Sequence, residues 1–180
     1  TVIVPCDYNQ TKAATIALGS HLGPAYLRFG RPNWPVFMQA DRPFVIGKAD
    51  VLTTGSDVTI IACGHLVWEA LEAESILAEK GINAEVINIH TIKPIDREAI
   101  ITSVKKTGCV VSCEEHQLNG GLGDSIAQIL ATGLPAPLEM IGVNDSFGES
   151  GKPADLMKKF GLDALHIAAA AQRAIGRKRN

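Results

Sequence analysis

Residues Val110 to Asp124 read VVSCEEHQLNGGLGD, an apolar run followed by two acids, a histidine and then glycines that open into the helical pattern SIAQILATG. A continuous apolar run is what a parallel strand covered on both faces requires. The glycines then turn the chain from the carboxyl end of that strand into the start of a helix, where free backbone N–H groups can receive an anion. A dinucleotide fingerprint needs Gly-x-Gly-x-x-Gly directly after the strand. Here Gly121 and Gly123 fit, Ile126 holds the third place, and His116 to Asn119 push the glycines away from the strand. Asp145, beyond the next apolar run, imitates the ribose-binding acid of that fingerprint, but the glycine spacing fails. The loop therefore reads as a structural tight turn.

Strands and helices alternate on either side of this stretch. Downstream lie a helix, the strand PLEMIGV, the polar loop NDSFGESGKP with Pro153 in the first turn of a helix, and an alanine-rich helix over Leu162 to Gly176. Upstream, DVTIIACG is a buried strand and HLVWEALEAESILAEKG a helix. Its stripe is Val67, Ala70, Leu71, Ile76 and Leu77, and Gly81 stops it. AEVINIH is a strand, Thr91 to Pro94 a loop, and Asp96 caps a further helix. FVIGKADVLTTG reads as a hairpin. The pattern predicts an α/β fold: an open, mostly parallel sheet with one antiparallel edge and helices on both faces.

The first thirty residues read differently. TVIVP is a strand ending at Pro5, Asn9 or Thr11 caps a helix over Thr11 to Ser20, and AYLRF is a short strand after the turn at Gly23-Pro24. Two strands and a helix are too few for a core of their own, so this part must pack against something. From Gly30 to Pro43 there is neither strand nor helix period. Pro32, Pro35 and Pro43 hold this crossing extended, and Trp34 and Phe37 pin it to a domain surface.

With 180 residues, 46% of them hydrophobic, and a formal net charge of −2, the chain can bury a real core and presents no field that favours nucleic acid or an acidic membrane. The basic run Arg177-Lys178-Arg179 reads as a solvated tail. No apolar stretch approaches the roughly 20 residues of a membrane span. TVIVPCDYNQ lacks the charged and apolar regions of a signal peptide, so the expected location is cytoplasmic. Cys6, Cys63, Cys109 and Cys113 form no Cys-x-x-Cys pair and read as buried reduced thiols.

Candidate chemistry is sparse. His65 and His90 fall at the carboxyl ends of strands, where open sheets gather ligands, but no partner base or nucleophile stands at readable distance and structural roles rank first. Glu114, Glu115 and His116 are the densest polar cluster. Adjacent carboxylates on a strand point to opposite sides, which argues against a paired acid and base and favours hydrogen bonding at an interface. Arg28, on its short strand, has the planar fork that receives a phosphate, or else forms a structural ion pair. No catalytic, cofactor-binding or metal-ligating set is assigned.

The succession VPCDYNQTKAA, AYLRFGRP, IKPID, CEEHQLNGGLGDSIA and IGVNDSFGESGKPADLMKKFGLD resembles the carboxyl-terminal part of a transketolase-like enzyme, in particular the smaller half of a split transketolase. The resemblance runs over essentially the whole chain. It implies that residues 1–35 are the remnant of a second α/β domain, the incomplete end of a pyrimidine-binding domain, with 36–42 a linker and 43–180 the transketolase carboxyl-terminal domain. It implies, too, that the complete enzyme transfers a two-carbon ketol unit between sugar phosphates with thiamine diphosphate and Mg2+. The family's cofactor-activating glutamate and diphosphate segment lie outside this sequence, so the chain alone is expected to bind no cofactor and to be inactive, supporting assembly of a dimer with the missing amino-terminal cofactor-binding domains or subunit. Arg28 matches the family's arginine for the substrate phosphate, although Leu27 and Phe29 replace the Ser and Gln that often flank it. The alternatives are a non-catalytic interaction or ligand-binding module and the beta-subunit end of a 2-oxo acid dehydrogenase.

Overall fold

Five apolar or β-branched residues in succession, Val58–Ala62, form a strand buried at every position, and the computed structural model, which describes residues 1–178, sets it at the middle of a five-stranded sheet. In chain order the strands are β1 (Val2–Ile3), β2 (Tyr26–Leu27), β3 (Asp50–Thr53), β4 (Val58–Ala62), β5 (Ala84–Asn88), β6 (Thr91–Lys93), β7 (Val110–Gln117) and β8 (Leu138–Val143). The helices are α1 (Tyr8–Leu18), α2 (Leu66–Ala78), α3 (Arg97–Thr107), α4 (Leu122–Gly133), α5 (Pro153–Lys159) and α6 (Ala164–Gly176). The larger sheet has the order β3-β5-β4-β7-β8. Its last four members run parallel and β3 lies antiparallel on the β5 edge, as the sequence pattern predicts. Because the buried strands are apolar on both faces, two cores result. Ile60, Val86 and Val111 meet α2 and α6 on one side, whereas Ile61, Ile87 and Val110 meet α3 and α4 on the other.

Several local expectations change. FVIGKADVLTTG is not a hairpin: only Asp50–Thr53 is strand, and it pairs with β5. The upstream arm has given its donors to side chains, the Gly47 amide to Thr91 Oγ1 at 3.1 Å and the Ala49 amide to Asp96 Oδ2 at 3.1 Å. Helix α1 starts earlier than its expected Thr11, because Asp7 is the cap and its Oδ1 accepts the Gln10 amide at 2.8 Å. The segment Thr91 to Pro94 holds β6, which pairs antiparallel with β1 while β2 pairs parallel on the other side. Arg177 is no free tail, since it donates to Glu139 Oε1 at 2.6 Å and to the Leu138 carbonyl at 3.0 Å. Arg179, named in the same basic run, lies outside the described residues.

Three features hold as expected. Asp96 caps α3 by accepting the Ala99 amide at 3.2 Å, Pro153 opens α5, and all four cysteines are buried and free. The crossing from Gly30 to Pro43 carries no helix or strand, yet it is clasped. Asp7 Oδ2 accepts the amides of Phe37 at 2.9 Å and Met38 at 2.7 Å. The pinning aromatics act as the sequence suggests: Trp34 stacks on His65 with centroids 4.4 Å apart and planes at 15°, and Phe37 tilts against Trp68 at 5.6 Å.

Candidate functional site

From β4 the chain passes through α2 to β5 on one side, and later through α3 to β7 on the other. The strand order therefore reverses between β4 and β7, and open α/β sheets collect ligands in the crevice beyond the carboxyl ends of such a pair. That crevice is bounded by Gly64 and His65 after β4 and by Glu114 and Glu115 in β7. The amino-terminal segment enters it. Gly64 N donates to the Val4 carbonyl at 3.2 Å, and Val4 N to the His90 carbonyl at 2.8 Å.

Arg28, just past β2, reaches the same place. Its Nη2 donates to the main-chain carbonyl of Glu115 at 2.7 Å, across 87 residues of sequence. No carboxylate pairs with its guanidinium among the described residues, and its other nitrogens have no acceptor there. His65 Nδ1 lies 3.2 Å from Glu115 Oε2. That hydrogen bond is the main reason the Glu115 carboxyl titrates below the usual range; burial opposes it, and the charges of His65 and Arg28 assist. Arg28, His65 and Glu115 line a hollow of about 70 Å³ together with Val4, Gly30 and Gly64. The His65 ring is so close to the backbone that a Cβ on Gly30 would stand 2.2 Å from its Cε1, which leaves glycine as the residue that fits. A larger cavity of about 490 Å³ adjoins, sharing Gly30 and His65 and adding Tyr8, Asn33 and Trp34.

Glu114 points the other way, as the alternation of a strand requires. Its oxygens accept the amides of Leu122 at 2.7 Å and Gly123 at 2.8 Å, so the positive end of α4 already holds an anion supplied by the chain itself. Burial pushes this carboxyl up, against the two amides. A Cβ on Gly121 would fall 2.1 Å from Glu114 Oε2: the glycine turn exists to let the carboxylate in. The expected tight-turn role of the loop holds, and the interface role expected for Glu114 gives way to an internal cap. The Leu122 and Gly123 amides of this helix start are thus already taken, and among the described residues no three His, Cys, Asp or Glu gather as metal ligands would.

The other histidines are apart from the crevice's polar pair. His90 is buried, with Nδ1 at 3.0 Å from Thr91 Oγ1 and its ring 4.1 Å from that of Phe44. Burial lowers its pKa, more than Asp50 restores it. His116 bonds the Gln117 carbonyl at 2.9 Å. Burial likewise drives the thiols upward, Cys63 to about 12, which removes them as nucleophiles. The Glu115–His65 pair is what sequence reasoning missed. Each residue was visible, but their meeting depends on β7 lying beside β4, which a local pattern does not reveal. Among the described residues no helix is long and apolar enough to cross a membrane.

Residues 47–167 match the family model described as "Transketolase, C-terminal domain". The chain is 45% identical over 179 residues to the 6-deoxy-6-sulfo-D-fructose transketolase subunit SqwH of Clostridium sp. strain MSTE9, covering 99% of this chain and 55% of that protein. It is 38% identical to one subunit of the apulose-4-phosphate transketolase of Phocaeicola vulgatus, covering 94% of this chain and 54% of the relative. A solved structure described as a split gene transketolase, inactive beta4 tetramer, superposes with a TM-score of 0.94 at 41% identity, covering 99% of this chain and 57% of that one. The chain thus spans about half the length of the curated relatives it matches. On the family model and the superposed fold together, the chain belongs to the transketolase family and carries its carboxyl-terminal domain.

Proposed function

We propose that this chain is the carboxyl-terminal portion of a thiamine-diphosphate-dependent transketolase, which moves a two-carbon ketol unit between sugar phosphates in the cytoplasm. Residues 1–35 close a pyrimidine-binding domain, 36–42 link, and 43–180 form the carboxyl-terminal domain. The cofactor, with Mg2+, is held by the remainder of the enzyme in an oligomer, and Arg28 receives the anionic end of the sugar. The observation that carries this reading is the Arg28 guanidinium at the switch-point crevice, which makes no direct ion pair among the described residues, in a chain whose relatives are named for a sulfonated and a phosphorylated ketose.

The test is kinetic and uses the assembled enzyme. Arg28→Ala removes charge-assisted contacts worth roughly 1.5–3 kcal/mol each, so kcat/KM for a phosphorylated ketose should fall about ten- to a hundredfold. Arg28→Lys should recover part of this, since an ammonium lacks the planar fork. An unphosphorylated donor should be nearly unaffected. Equal losses for both donors would assign Arg28 to the fold alone.

A further inference from the structure

Arg28 does not meet its ligand as an isolated cation. The hollow it lines also holds the Glu115 carboxylate, which is hydrogen-bonded by His65 and kept outside ion-pair contact with the guanidinium. The contact Arg28 does make is to the Glu115 carbonyl, part of the main chain. One residue of the carboxyl-terminal domain thus supplies both the anchor that aims the arginine and a fixed negative charge beside it. The anchor is indifferent to the side chain. The charge is not.

Resting on the reading of Arg28 as an anion site, we propose that Glu115 is a specificity-determining residue: its carboxylate, held by His65, offsets the charge of Arg28 and fits the site to a singly charged sugar terminus in preference to a dianion. Where the Glu115 charge offsets that of Arg28, the second negative charge of a dianion gains little net attraction, yet it adds a cost of leaving water that rises steeply with charge. Stacking of Trp34 on His65 and the close approach of His65 to Gly30 keep the imidazole in place, and with it the carboxylate. The hydrogen bond from this fixed ring favours the carboxylate position beside Arg28.

The experiment is a calorimetric titration of the assembled enzyme at pH 8 with two probes of one carbon skeleton. Glycerol 3-phosphate is a dianion there, its second pKa being about 6; 2,3-dihydroxypropane-1-sulfonate is a monoanion. Removing one fixed charge acts twice on the dianion. Glu115→Gln, which keeps the carbonyl anchor, should therefore tighten the phosphate about tenfold and the sulfonate about threefold, the logarithmic gain being double for the dianion. Glu115→Asp, which keeps the charge, should leave the ratio of the two affinities as in the wild type. Equal changes for both probes, or weakening of both, in Glu115→Gln would overturn the proposal. Arg28→Ala separates this from failure of the underlying reading: if it abolishes binding while Glu115→Gln breaks the two-to-one relation, only the role of Glu115 falls. If Arg28→Ala changes neither affinity, or neither probe binds the wild type, the anion site itself is refuted, and this proposal with it.

Discussion

Glu114 and Glu115 stand one position apart in β7 and share almost nothing. Alternation along a strand sends one carboxylate to the amides of α4 and the other to His65. The opposition of the two could be read directly from their adjacency; the identity of what each meets could not, because both partners are set by tertiary packing. Glu114 is 2% exposed, and its pKa in the fold is raised by burial above that of the unfolded chain. The folded state then holds this proton more tightly, so the contribution of Glu114 to stability decreases as pH rises from about 4.3 through the raised value and is level above it. Urea denaturation of wild type and Glu114→Gln between pH 4 and 8 should show this as a difference: the wild type loses stability relative to the amide over that interval. A difference of opposite slope would contradict the assignment. Glu114→Ala should cost roughly 2–4 kcal/mol at any pH in the range, since it strands two buried amides.

Helix α1 and the crossing behind it form one unit, although the sequence presents them as a helix and a linker. Asp7 is the reason. It caps α1 through Oδ1 and clasps Phe37 and Met38 through Oδ2, and Asn9 Nδ2 adds a bond to the Met38 carbonyl at 2.7 Å. Elements whose signals are local, such as β4 with its apolar run, α3 with its Asp96 cap and α5 with its proline, were legible. Those that depend on a distant partner were not. The hairpin failed because Thr91 and Asp96 took its amides, and β6 was hidden because only β1 makes it a strand. For α1 the consequence is testable. Asp7→Ala removes a cap and the one oxygen that accepts two further amides, about 2–4 kcal/mol together, and should raise the rate of proteolytic cleavage within residues 30–43 about tenfold or more, read by mass mapping of the first products. Unchanged cleavage there would mean that the aromatic contacts of Trp34 and Phe37 hold the crossing by themselves.

At the scale of the molecule, the fold class and its antiparallel edge were readable because buried parallel strands declare themselves by composition. The switch-point crevice was not, because it is a property of strand order. One wall of that crevice is the chain's own beginning at Val4: β1 is hydrogen-bonded between β2 and β6, Val4 bridges the His90 carbonyl and the Gly64 amide, and Ile3 is wholly buried. The clasp on the crossing ends at Met38, while Gln39, Ala40 and Asp41 are an exposed turn beyond it. A chain interrupted in that turn would therefore keep every one of these attachments on the correct fragment. Residues 1–39 and 40–180, produced as separate polypeptides in one cell, should reassemble without a covalent link and leave an affinity column together, and Asp7→Ala in the smaller piece should weaken their association. Covalent continuity through the crossing is then a convenience of synthesis, and the position of Arg28 is inherited from complementation between surfaces.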